Sequence, residues 1–86
     1  MVPSPLSYRD VSRRTVQLVR RGEALGADRE AVRALGRAAH ERGGIDGMRV
    51  VFEDVRRSLD TWDQPHLREL EAAWDGIGGW AAPPPA

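Results

Sequence analysis

Eighty-six residues with 41% apolar and 30% charged content bound the chain to one ordinary globular domain, too short for a second core. With no cysteine, disulfides, thiolate zinc sites and a thiol nucleophile are excluded, and no apolar run approaches the roughly 18 residues that span a bilayer. The zero net charge hides an asymmetry, because residues 1–42 carry nine Arg against five acids and residues 43–86 carry four Arg against eight.

All thirteen basic residues are Arg, which points to a GC-rich bacterial coding sequence. The first seven residues, MVPSPLS, lack the basic start and apolar stretch of a secretory signal, so the expected location is cytoplasmic. Residues 1–6 are expected to form a flexible N-terminus, residues 7–80 a single helical domain and residues 81–86 a disordered Ala/Pro tail.

The fold class expected is all-α, a compact bundle of about four short helices. The first spans 7–25. Ser7 is its N-cap, with Asp10 as the capping-box partner three residues on. At 100° per residue, Tyr8, Val11, Thr15, Leu18, Val19, Gly22 and Leu25 share one face, with Gly26 as the stop. Arg9, Asp10, Arg13, Arg14, Gln17, Arg20 and Arg21 share the other.

The second helix, 28–42, is capped by Asp28 and turns Val32, Leu35 and Ala39 inward, with Gly43-Gly44 ending it. The third, 46–60, opens at Asp46 or Gly47 and repeats Met48, Val51, Phe52, Val55 and Leu59 without a break. Val50 is its one apolar residue on the polar side. A turn at Asp60–Pro65 leads to the fourth, 64–77, capped by Asp63 or Gln64. Its inward face is Leu67, Leu70, Trp74 and Ile77. No run of alternating residues competes as a strand.

Catalytic patterns are thin. His40, near a helix end, is expected against terminal carbonyls, and His66 on the surface. No sequence pattern places a nucleophile or an orienting partner beside either. The carboxylates lack metal-ligand spacing, and Gly76-Ile77-Gly78-Gly79 lacks the Lys-Ser/Thr of a phosphate loop. The expectation is therefore no enzyme, no cofactor, no metal and no small-molecule substrate.

Two features point to binding. Trp62, Trp74 and Trp80 all lie in the last quarter of the chain. Trp is the residue type most enriched at interface hot spots. Together with Val50 they form the expected contact surface for a protein partner or a second copy of the chain. A small core without disulfide or metal also favours stabilisation by self-association. The alternative surface is the Arg face of the first helix, where Arg9, Arg13, Arg14, Gln17, Arg20 and Arg21 could neutralise phosphates of DNA.

The segment Val11-Ser12-Arg13-Arg14-Thr15-Val16-Gln17-Leu18-Val19-Arg20-Arg21-Gly22 resembles the recognition helix of helix-turn-helix repressors. That resemblance implies that Ser12, Arg13, Arg14 and Gln17 face bases or phosphates. The family places a scaffold helix before this segment, whereas only ten residues precede it here. Trp74-Asp75-Gly76 is also similar to the W-x-G tripeptide of small secreted helical-hairpin proteins, which carry it in the central turn of a longer chain.

Overall fold

A computed structural model describes residues 7–80, and both terminal segments, 1–6 and 81–86, with the flexibility expected of them, lie outside the described residues. The described residues are all-helical in class, with no strand among them. Helix α1 spans Tyr8–Arg20, α2 spans Arg29–Ser58, a 3-10 turn covers Thr61–Asp63 and α3 spans His66–Trp74. There are thus three helices among the described residues, where four were expected. The expected helices 28–42 and 46–60 are the two arms of α2, separated by a kink where the backbone leaves helical angles at Gly43 (φ −156°, ψ 19°) and Gly44 (φ 65°, ψ −151°).

Helix α1 begins as its sequence dictates. The Ser7 hydroxyl accepts the Asp10 N–H at 3.2 Å and donates to the Asp10 carboxylate at 3.0 Å. It ends earlier than expected, at Arg20. Gly22 adopts φ +73°, and the Arg21 and Gly22 N–H groups close on the Leu18 and Val19 carbonyls. Glycine at that place is a helix stop rather than a small residue of the inward face. Leu25, beyond the stop, is therefore 46% exposed and not core.

Asp28 precedes α2 but makes no capping hydrogen bond, since its carboxylate is drawn to Arg21 at 3.4 Å. The far end of α2 is closed by a side chain from the next element. Gln64 Nε2 donates to the carbonyls of Arg56 (2.9 Å) and Leu59 (3.1 Å), two acceptors that the helix end would otherwise leave open. Gln64 is thereby taken away from the N-terminus of α3, which starts on Pro65 without a side-chain cap. That helix stops at Trp74, and Arg33 Nη1 covers its end by donating to Ala73 O (2.7 Å) and Asp75 O (3.0 Å).

The core joins the inward stripes of all three helices. Val11 and Val19 of α1 meet Val32, Leu35, Ala39, Met48, Val51 and Val55 of α2 and Leu70, Ala73 and Trp74 of α3. Trp74 is fully buried and its Nε1 donates to Val32 O at 2.9 Å. The indole is pressed against α2 at Gly36, where an added Cβ would stand 2.6 Å from Nε1. Only a residue without a side chain admits the ring there. Thr15, also fully buried, satisfies its hydroxyl on Val11 O at 2.7 Å.

Candidate interaction surfaces

The three tryptophans are not one surface. Trp74 is core. Trp80 folds back on it, its ring edge-on to Trp74 at 5.3 Å and tilted against Phe52 at 5.8 Å. The Trp80 Nε1 is buried without an acceptor among the described residues. Both rings are therefore occupied within the fold. Trp62 differs, being 77% exposed in the 3-10 turn. Val50 is 46% exposed on the outer side of α2.

The turn that carries Trp62 is held on both flanks. Arg20 Nη2 pairs with Asp60 at 3.3 Å and Arg20 Nε with Asp63 at 3.8 Å, while Gln64 is anchored to the end of α2. An exposed indole on a tethered turn presents apolar area at little ordering cost. These contacts also consume part of the charge asymmetry seen in the sequence, because a basic N-terminal residue is neutralised by acidic C-terminal ones within the chain.

The Arg face of α1 is divided by its neighbours. Arg9, Arg13, Gln17 and Arg20 join Arg57 of α2 around a groove of about 620 Å³ whose wall also holds Ser12 and Asp54. Arg14 stands instead at the rim of a second groove of about 480 Å³, lined by Leu18, Ala31, Ala34, Leu35 and Ala38, with Gln17 shared between the two. Arg21 is engaged with Asp28. Inside the first groove, Arg13 pairs with Asp10 at 3.7 Å and Arg57 with Asp54 at 3.1 Å. Arg9 carries no ion pair among the described residues.

Ser12 corrects the expectation drawn from the helix-turn-helix resemblance. It is 7% exposed and donates to Asp54 Oδ2 at 3.1 Å, so it faces α2 and not a ligand. The spacing carries that signal. Ser12 lies four residues after Tyr8 and three before Thr15, on the stripe that packs. Moreover, α1 is the first helix among the described residues, where the family's recognition helix would follow a scaffold helix.

The histidines occupy separate places. His66 Nδ1 lies 2.5 Å from Glu69 Oε1, and its ring packs on Gly22 at the end of α1, making it half-buried rather than a free surface residue. His40 packs on Gly78 in the turn after α3, not on helix-terminal carbonyls. Among the described residues no three His, Cys, Asp or Glu side chains gather where a metal could be held, and no helix is long and apolar enough to cross a membrane. The Glu53 carboxyl is held below its ordinary value, first by the hydrogen bond from Arg56. Comparison with protein-family models, with curated proteins and with solved structures finds no match for this chain.

Proposed function

We propose that this protein is a non-enzymatic interaction module that self-associates through the surface around Trp62. The observation that carries the reading is the 77% exposure of that indole on a turn tied down by Arg20 and Gln64. A side chain of this size left open to water is costly to keep unless a partner covers it, and Trp is among the residue types enriched at interface hot spots. Trp74 and Trp80 take no part in the proposed contact, since both are spent on the fold. Val50 remains available as a second apolar contact. Sedimentation velocity of the wild type and of Trp62→Ala tests the reading. The wild type should sediment above the 9.5 kDa mass of one chain, and the variant should not.

A second reading, a DNA-binding regulator, is favoured by the groove that gathers Arg9, Arg13, Gln17, Arg20 and Arg57. Three of these arginines already pair with carboxylates, so phosphates would have to displace Asp10, Asp54, Asp60 and Asp63. A gel-shift titration at low and high salt separates the readings. Absence of binding at low salt removes this one, since phosphate contacts are strongest there.

A further inference from the structure

Arg33, Arg37 and His40 stand at i, i+4 and i+7 along the first half of α2 and so share a face. Opposite them runs the turn that follows α3. Together with Glu41, Gly76, Ile77 and Gly78 they line an open pocket of about 360 Å³, a size that ordinary small-ligand sites have.

Of the two guanidinium groups in this pocket, one is positioned and the other is unspent. Arg33 is pinned through Nη1 to Ala73 O and Asp75 O, which fixes its guanidinium plane and leaves the Nε and Nη2 hydrogens for another acceptor. Arg37 makes no hydrogen bond or ion pair among the described residues. The His40 ring is seated against Gly78, where φ is +56° and any Cβ would run into the imidazole. Among the described residues the N–H of Gly78 has no backbone acceptor, unlike those of Gly76, Ile77 and Trp80 in the same turn. Glu41 is the one acidic side chain of the lining, which leaves two guanidinium charges against one carboxylate.

We propose that this pocket binds a phosphate group, free or as a phosphomonoester. Two guanidinium groups, an imidazole and a turn amide approach from two sides and offer more donors than the two oxygens of a carboxylate can accept. A phosphoryl group presents three acceptor oxygens and up to two negative charges. The site is separate from the Trp62 turn, so neither assignment depends on the other.

The test is a ¹H–¹⁵N titration of the full chain with inorganic phosphate, with O-phosphoserine and with acetate at constant ionic strength. Saturable shifts of the Gly76 and Gly78 amides are expected with phosphate or phosphoserine, and whichever binds more tightly identifies the free or esterified source. Acetate should bind at least about tenfold more weakly. Arg37→Ala, at an exposed and unpaired position, should weaken phosphate binding by about tenfold while leaving the thermal midpoint unchanged. Trp62→Ala should bind phosphate as the wild type does. Linear, non-saturating shifts would overturn the proposal. So would equal affinity for acetate, or an Arg37→Ala variant that binds like the wild type.

Discussion

Gly36 is the position at which an ordinarily favourable substitution should fail. Replacing a mid-helix glycine by alanine normally stabilises a helix by about 1 kcal/mol. Here the new methyl would stand 2.6 Å from Trp74 Nε1, 2.7 Å from Cδ1 and 3.0 Å from Cε2, so the indole has to retreat by roughly 1 Å to reach ordinary contact. Trp74 is fully enclosed, and Nε1 is held to Val32 O at 2.9 Å. A retreat of that size breaks the bond and pushes on Trp80, whose ring meets Trp74 edge-on. Overpacking costs about 1–3 kcal/mol and an orphaned buried donor about another 1–3. After the propensity gain, Gly36→Ala should destabilise by about 1–5 kcal/mol. With a urea slope of about 1–3 kcal/mol/M for a small domain, the unfolding midpoint falls by at least several tenths molar. Urea unfolding followed by circular dichroism and by Trp fluorescence measures this. A Gly36→Ala variant that is more stable than the wild type would refute the placement of the Trp74 ring against α2.

Three further outcomes follow from the same geometry. Gln64→Ala strips the Arg56 and Leu59 carbonyls of their donor and should cost about 1 kcal/mol, with amide-exchange protection lost first in the last turn of α2. Trp80→Phe keeps an aromatic ring against Phe52 and Trp74, so it should be more stable than Trp80→Ala by about 1 kcal/mol or more in urea unfolding; the reverse order would contradict the packing of the ring on these two neighbours. The Glu53 carboxyl, lowered in the fold by Arg56, contributes stability that is present above the ordinary carboxylate range and lost as pH falls through its depressed folded value. Its NMR titration midpoint should rise in Arg56→Ala, and an unmoved midpoint would contradict the assigned cause.

What the sequence disclosed was what repeats locally. The Ser7–Asp10 cap, the Val11/Thr15/Val19 stripe and the buried position of Trp74 all follow from period and capping chemistry within a few residues. Periodicity does not say when a helix stops. Gly22 fits the inward stripe by spacing, and only its positive φ reveals that the chain turns there. Gly43-Gly44 reads as a terminator, and the backbone does leave helical angles at both residues, but helix resumes at once, so the two expected helices meet at a kink inside α2. Contacts between elements were the least legible part. Gln64 looks like a cap for the helix it precedes, and the nearby open carbonyls of α2 take it instead. The Arg33 cap on α3 joins residues forty apart, and nothing in the local pattern marks it. Among the candidate binding residues, three tryptophans close in sequence suggested one surface. Packing against Phe52 and Gly36 absorbs two of them and leaves Trp62 outside.

The exposed Trp62 indole is the centre of the functional account, and the mass of the protein in solution tests it most directly. Sedimentation equilibrium over a concentration series should give a wild-type mass rising toward twice the 9.5 kDa chain mass, with Trp62→Ala remaining at 9.5 kDa and unfolding in urea at the midpoint that the wild type shows when diluted to the single chain. A wild type that stays at 9.5 kDa at every concentration, or a Trp62→Ala variant that associates as strongly as the wild type, would contradict it.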